Sequence, residues 1–205
     1  MLSSCILAGG ESRRFGKNKA LINFSGQPLI QRVVNRIENI GNETIIISNQ
    51  IDHFRYLDVV IKPDRITGCG PLGGLYTGLF YANHPYVAAV ACDMPFINPH
   101  LLKMEFDILL NSKADVVIPQ SSKGLEPLHA IYRRQTCLPP IENALQQDNY
   151  QLIGWYDQVI VEILPPSEIH KIDPDELSFI NINTHDDLIK AIEIVKYFHY
   201  YDDLP

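Results

Sequence analysis

The feature that most constrains this chain is a short apolar strand that runs directly into a glycine-rich, cation-bearing loop. The strand is Leu2–Leu7, and the loop spans residues 8–19. Gly9 and Gly10 permit positive φ and close approach of the backbone to a ligand, and successive N–H groups in such a turn form an anion-binding concavity. The loop supplies four cations that suit a polyphosphate, namely Arg13, Arg14, Lys17 and Lys19. The pattern predicts a phosphate-binding loop at the end of a buried strand.

This loop follows neither of the two common phosphate-binding motifs. Gly16-Lys17-Asn18 stands at the wrong distance from Gly9 for GxxxxGK[ST], and Gly9-Gly10-Glu11 does not give G-x-G-x-x-G. An NAD-dependent oxidoreductase is therefore disfavoured. A surface turn whose cations are solvated is the alternative interpretation of the loop.

Net charge and cysteine spacing limit the kinds of ligand and cofactor that we expect. The chain has 205 residues and a net charge of -7, which argues against binding to nucleic acid or to an anionic membrane. None of the four cysteines forms a C-x-x-C pair, so a zinc or iron–sulfur site is not expected. Cys69, in a glycine-rich loop, is a candidate for solvent exposure. The sequence predicts neither a signal peptide nor a membrane span, and we expect a cytoplasmic protein.

Strand and helix patterns alternate over the first 118 residues. Short apolar runs predict buried strands, and apolar residues repeating at helical spacing predict helices between them. The predicted strands are Leu2–Leu7, 44–47, 59–61, Tyr86–Ala91 and 114–118, and the predicted helices are 28–40, 72–82 and 101–110. This order predicts an α/β fold, a three-layer, doubly wound and mostly parallel sheet.

The pattern becomes mixed after Pro119. We expect an antiparallel strand at 128–132, a helix at 135–147 interrupted near Pro139-Pro140, and strands at 159–164 and 179–182. A final helix is expected to begin after Thr184, with a capping box to Asp187. We interpret 1–205 as a single domain with two halves, 1–118 and 119–205.

Two acidic residues follow predicted strands. Carboxyl ends of parallel strands meet at one edge of a sheet, where ligands bind. Asp93 follows the strand Tyr86–Ala91 and is a candidate Mg²⁺ ligand, since magnesium is held by one or two carboxylates plus substrate phosphates; the alternative is a turn cap before Pro95. Asp64 is a candidate for binding a base or ribose, or else an Asx-turn residue.

These motifs together resemble the molybdenum cofactor guanylyltransferases, within the wider nucleotidyltransferase superfamily of Rossmann-like fold. The resemblance extends over nearly the full length of the chain. It rests on Leu7-Ala8-Gly9-Gly10 with Ser12, Arg13, Gly16 and Lys19; Asp64 followed by Gly70-Pro71-Leu72-Gly73-Gly74; Cys92-Asp93-Met94-Pro95; Pro127-Leu128-His129-Ala130; and Asn181-Ile182-Asn183-Thr184.

The resemblance implies GTP and molybdenum-bearing molybdopterin as substrates and Mg²⁺ as cofactor, with possible molybdopterin-delivering or molybdoenzyme-maturation proteins as partners. GMP would pass to the terminal phosphate of the pterin, and pyrophosphate would leave. The implied residue roles are nucleotide binding by Leu7, Ala8, Gly9, Gly10, Lys19 and Asp64; metal binding by Asp93; charge neutralisation by Lys19 and Arg13; and pterin binding by Asn181 and Asn183.

Two other functions fit the same residues. One is a cytidylyltransferase or another nucleotidyltransferase that acts on a small phosphorylated acceptor, because a fold does not fix its substrate. The other is a non-catalytic nucleotide-binding module. Nucleotide preference distinguishes the first from a guanylyltransferase, and release of pyrophosphate distinguishes the second.

Overall fold

The computed structural model of the protein describes residues 1–9 and 18–200, without the side chains of 198–200. Its strands are β1 Leu2–Leu7, β2 Asn23–Phe24, β3 Gln27–Pro28, β4 Glu43–Ile47, β5 Val60–Lys62, β6 Tyr86–Ala91, β7 Val116–Ser121, β8 Gly124–Leu125, β9 His129–Arg133 and β10 Val161–Leu164. Its α-helices are α1 Leu29–Ile37, α2 Gly70–Tyr81, α3 Pro99–Asn111, α4 Arg134–Gln146, α5 Pro166–Ile169 and α6 His185–Tyr200.

The main sheet has the strand order β10-β7-β9-β6-β1-β4-β5. Its pairs are parallel except those made by β9, which runs antiparallel to both β6 and β7. β8 forms a hairpin with β7, and β2 pairs with β3 in a separate two-stranded sheet. The expected mostly parallel sheet with a mixed C-terminal part is confirmed.

Helices cover both faces of the sheet. On β1, Ile6 belongs to the core beneath α1 and α3, while Cys5 and Leu7 belong to the core beneath α2 and α4. Consecutive strand side chains point to opposite faces, so a strand buried on both sides reads as an unbroken apolar run. Each fully buried Leu or Ile contributes roughly 1.5–3 kcal/mol. The two cores, one on each face of the sheet, lie between the three layers of helices, sheet and helices.

Helix α2 lies unusually close to β1. A Cβ atom on Gly78 would stand 2.2 Å from the Cys5 sulfur, and one on Gly74 would stand 2.9 Å from a Leu7 methyl carbon. A side chain at either position would force the Cys5 or Leu7 side chain, or the backbone that carries it, to move. These two glycines therefore allow the close spacing between helix and strand.

The expected strand at 179–182 is wrong. The segment is a 3₁₀ helix, Leu177–Phe179, followed by irregular chain. The buried Asp173 carboxylate accepts hydrogen bonds from the backbone N–H groups of Leu177 at 2.9 Å and Ser178 at 2.8 Å. These donors are satisfied by a side chain rather than by a neighbouring strand, which is why β-rich composition misled the prediction.

Two further expectations are corrected. Helix α4 continues through Pro139 and Pro140 instead of breaking there, because its buried face of Cys137, Ile141 and Ala144 packs into the core beside α2 and outweighs the local cost of the prolines. Cys69 is 4% exposed rather than solvent-accessible, since it joins the same core.

The expected helix starts are confirmed. Asn98 precedes α3, and its side chain accepts a hydrogen bond from His100 N at 2.9 Å. Thr184 and Asp187 form the capping box of α6. Across residues 1–9 and 18–200, no helix has the length and apolarity needed to cross a membrane.

Candidate active site

The carboxyl ends of four neighbouring strands bring the predicted functional loops to one edge of the sheet. Backbone hydrogen bonds continue past the strand ends, from Ala8 N to Ile47 O at 2.9 Å and from Cys92 N to Leu7 O at 3.1 Å. Ser48 N likewise donates to Lys62 O at 2.9 Å. The loops after β1, β4, β5 and β6 therefore leave the sheet side by side, as predicted. Gly10 and Arg13 lie outside the described residues.

Lys19, Asp93 and Asn183 meet at this edge although they are far apart in sequence. The Lys19 ammonium donates hydrogen bonds to the Asp93 carboxylate and, at 2.7 Å, to Asn183 Oδ1. The Lys19 and Asp93 side chains are each 16% exposed. Asn18 accepts from Ala20 N at 3.0 Å and so caps the short 3₁₀ helix that carries Lys19. A cation, a carboxylate and an amide thus converge in a partly desolvated position.

Asp93 suits a divalent cation. One of its carboxylate oxygens contacts Lys19, while Oδ1 is buried and has no hydrogen-bond partner among the described residues. In the same part of the chain, no group of three or more His, Cys, Asp or Glu side chains is placed to hold a metal. One carboxylate with an unpaired oxygen fits a magnesium ion held mainly by substrate phosphates and water.

Asp64 and Asn49 form a reciprocal pair beside the glycine loop. Asn49 Nδ2 donates to Asp64 Oδ2 at 2.9 Å, and Asp64 N donates to Asn49 Oδ1 at 2.9 Å. A Cβ on Gly9 would lie 3.7 Å from the same Asp64 oxygen. Burial raises the pKa of Asp64, and the Asn49 hydrogen bond partly opposes that rise. The pair holds the Asn49 side chain, in the loop after β4, in a defined position. The sequence pattern alone did not single out Asn49.

Leu7 and Ala8 have buried side chains, so only their backbone groups could meet a ligand. Ala8 N and Leu7 O are already engaged by the neighbouring strand ends. Within residues 1–9 and 18–200, Ala8 O and Gly9 N make no such bond, and Gly9 is exposed.

The two asparagines near the C-terminus have different surroundings. Asn183 N and Thr184 N donate to Asp187 Oδ2 at 3.0 and 2.8 Å, so the start of α6 fixes the backbone that carries the Asn183 amide. Hydrogen bonding from Thr184 is the main cause that lowers the pKa of Asp187. Asn181 Nδ2 donates to Phe179 O at 3.2 Å. The structure therefore brings Asn183 to Lys19 but does not place Asn181 in that contact.

Two arginines of α1 hold the loop after Asp93, and the sequence reasoning missed them. Arg32 Nε donates to Pro95 O at 2.8 Å and Arg36 Nε to Ile97 O at 2.5 Å. The Arg32 guanidinium also lies 5.2 Å from the ring centre of Phe24. Burial lowers the pKa of both arginines, that of Arg36 to about 10. The sequence signal that could have found them is a pair of arginines four residues apart on a helix with one apolar face.

Comparison with known proteins agrees with this geometry. Residues 4–159 match the MobA-like NTP transferase domain family. The chain is 35% identical over 196 residues to a molybdenum cofactor guanylyltransferase of Desulfosudis oleivorans, covering 95% of this chain and 96% of that protein. It is 34% identical to a probable molybdenum cofactor guanylyltransferase of Pelotomaculum thermopropionicum, covering 91% and 89%.

A solved structure extends the likeness to three dimensions. Molybdopterin-guanine dinucleotide biosynthesis protein A from Archaeoglobus fulgidus superposes with a TM-score of 0.84 at 26% identity, covering 95% of this chain and 99% of that one. Matches in sequence and in structure each extend over most of the chain. The protein belongs to the family of MobA-like NTP transferase domains.

Proposed function

We propose that this protein is a molybdenum cofactor guanylyltransferase that transfers GMP from GTP to the terminal phosphate of molybdenum-bearing molybdopterin. The observation that carries the proposal is the convergence of Lys19, Asp93 and Asn183 at the carboxyl edge of the sheet. The strand end that leads to Asp93 lies next to the end of β1, since Cys92 N donates to Leu7 O. The names of the relatives supply the substrates, GTP through the guanylyl group and the pterin through the molybdenum cofactor.

The reaction is a nucleotidyl transfer. An oxygen of the acceptor phosphate attacks the α-phosphorus of GTP, and the bond from that phosphorus to the bridging oxygen of the β-phosphate breaks, so pyrophosphate leaves with the electron pair. The attacking phosphate is already ionised, so no strong general base is required. Positioning and charge neutralisation are the main contributions that the protein makes to such a transfer.

Each proposed residue has a part in that positioning. Lys19 binds the triphosphate, with Arg13 as a second cation, and Leu7, Ala8, Gly9, Gly10 and Asp64 hold the guanosine. Asp93 holds Mg²⁺, which when bound neutralises phosphate charge; the buried, unpartnered Asp93 Oδ1 supports this role. Asn181 and Asn183 face the acceptor, so residues 1–118 bind the nucleotide and residues 119–205 bind the acceptor.

The setting of the reaction is also part of the proposal. All four cysteines are unpaired and buried, which suits a reducing compartment, and we place the protein in the cytoplasm. The acceptor would come from a protein that makes or carries molybdopterin, and the product would pass to proteins that mature molybdoenzymes.

Nucleotide preference is the first test. Titration of the protein with GTP, CTP, ATP and UTP by calorimetry, with and without Mg²⁺, should show binding of GTP that Mg²⁺ strengthens. Preference for CTP would move the protein to cytidylyl transfer. Binding of GTP without pyrophosphate release in the presence of the acceptor would identify a non-catalytic nucleotide-binding module instead.

A further inference from the structure

A buried pair of titratable side chains lies next to the acceptor side of the site. His129, the first residue of β9, and Glu105 of α3 are each 0% exposed, with His129 Nδ1 and Glu105 Oε1 3.0 Å apart. Burial raises the pKa of Glu105, and His129 opposes that rise. His129 Nε2 and Glu105 Oε2 are buried without a hydrogen-bond partner in the part of the chain that is described.

Folding alone does not account for this pair. A buried polar pair is rarely more stabilising than apolar side chains of similar volume. Each unsatisfied polar atom adds about 1–3 kcal/mol of desolvation cost. Ile131 and Val117 belong to the apolar core on the same face of the sheet, and the half-buried Glu126 carboxyl is close enough to interact with His129. The pair therefore carries a cost that an apolar pair would avoid.

The pair is linked to the acceptor-side asparagines by direct contacts. The imidazole ring of His129 meets the ring of Phe179 edge-on, with ring centres 5.2 Å apart. Phe179 O accepts the hydrogen bond from Asn181 Nδ2. Ile182 directly follows Asn181, and its backbone N–H donates to Asp93 O at 3.0 Å. Among the described residues, 179–183 pair with no strand, and buried side chains and single hydrogen bonds hold this segment instead. The ring contact with His129 is one of these holding contacts.

We infer that His129 and Glu105 are positioning residues for the acceptor, with Glu105 orienting the imidazole and the imidazole holding Phe179 and so the segment that carries Asn181 and Asn183. This inference rests on the proposed function for the identity of the acceptor. The link to the acceptor segment is direct, and the link to the nucleotide side is indirect. His129 contacts the segment at Phe179, whereas Asp93 and Lys19 contact it only at its other end, through Ile182 and Asn183.

Two substitutions separate the contribution of the His129 ring from that of the Glu105 carboxylate. His129→Asn keeps a donor near the position of Nδ1 but removes the ring that contacts Phe179. Glu105→Gln keeps the acceptor for Nδ1–H and leaves the ring oriented. We expect His129→Asn to raise the KM for the pterin acceptor about tenfold with the KM for GTP within twofold of native, because a small displacement of a positioning group is costly. Glu105→Gln should stay within about threefold of native for both substrates.

Hydrogen exchange supplies a readout that needs no substrate. Exchange of the 177–184 peptide, measured by mass spectrometry, should become faster in His129→Asn and remain near native in Glu105→Gln. Ser3→Ala is the matched control for loss of stability, since Ser3 is a buried polar residue of β1 that bonds to Glu43 at the opposite end of that strand. It should leave exchange of this peptide and both KM values unchanged.

Three results would overturn the inference. The first is His129→Asn with native exchange in 177–184. The second is an equal rise in both KM values, which would indicate general loosening of the site. The third is Ser3→Ala raising the acceptor KM as much as His129→Asn. Because exchange is measured on the protein alone, absence of guanylyl transfer in the native protein would count against the proposed function and leave the anchoring test intact.

Discussion

The nucleotide side and the acceptor side of this site are built in different ways. On the nucleotide side, the functional loops follow β1, β4 and β6, and backbone bonds between strand ends fix their starting points. On the acceptor side, Asn181 and Asn183 lie in a segment outside the sheet that side chains hold in place, among them Asp173 and Asp187. Strand ends are placed by the whole sheet, whereas the acceptor segment depends on a few individual contacts.

The two halves also differ in charge. Residues 1–118 contain 11 Lys and Arg against 10 Asp and Glu, whereas residues 119–205 contain 6 against 14. Both proposed substrates carry phosphate, so the net charge of the second half opposes the binding of either one. Because the acceptor segment depends on individual side-chain contacts, acceptor binding should be more sensitive than GTP binding to single changes in the second half.

The largest effect is expected from Asp93→Asn. Loss of the carboxylate charge removes the proposed metal ligand and the partner of Lys19, so kcat for GMP transfer should fall about 10³-fold or more. Circular dichroism and the denaturation midpoint should remain close to native. Asp52→Asn, which alters an exposed acid, is the control. Near-native turnover in Asp93→Asn would remove this carboxylate from the mechanism.

A smaller loss is expected from Lys19→Ala. Removing one charge-assisted contact to phosphate should weaken GTP binding about 10- to 100-fold, as measured by calorimetry. Lys103→Ala on α3 provides the matched loss of one charge away from the site and should not alter the affinity. An unchanged GTP affinity in Lys19→Ala would contradict our placement of the triphosphate.

Asp173→Ala tests the side-chain-held region directly. The change leaves the N–H groups of Leu177 and Ser178 without their acceptor, at a cost of about 1–3 kcal/mol each in the free energy of unfolding. We expect the acceptor KM to rise about tenfold while GTP affinity stays near native. The exposed neighbour Asp175 gives the control, Asp175→Ala. If GTP affinity fell as much as acceptor affinity, the two sides would not be separately built.

The smallest expected effect is a change with pH in the free energy of unfolding. Burial alone would raise the pKa of Glu176, but hydrogen bonds from Ser122 and His170 outweigh it and lower the pKa below the ordinary value of 4.5. A lowered pKa in the folded state stabilises the protein above the unfolded pKa, and that stability is lost as pH falls through the folded value. The unfolding free energy of native protein minus that of Glu176→Gln should therefore be positive at neutral pH and shrink below about pH 4.5.

Denaturant titrations at several pH values measure that difference. Glu162→Gln on β10 is the control, because it removes the same charge from an exposed side chain elsewhere on the protein. A difference that stayed constant from neutral pH down through this window would show that Glu176 does not act through its charge.

The same contrast explains which parts of the structure could be predicted from the sequence. The strand Tyr86–Ala91 was predicted to the residue, and Asp93 and Lys19 were placed correctly at one edge, because apolar runs and strand-end loops are local signals. The irregular segment around Leu177 was missed, because its donors are satisfied by Asp173, a contact that no periodicity reveals. The bonds from α1 to the Asp93 loop were missed for the same reason, since they join residues more than sixty positions apart.

The close approach of α2 to β1 has a consequence for how this sequence can change over evolution. The position of a Cβ on residue 78 is already filled by the Cys5 sulfur, so residue 78 cannot enlarge unless the Cys5 side chain or the strand that carries it moves. That strand leads directly into Ala8 and Gly9, so a shift there would move both residues. A residue larger than glycine at position 78 should therefore accompany a residue smaller than cysteine at position 5 among relatives, whichever acceptor each relative uses.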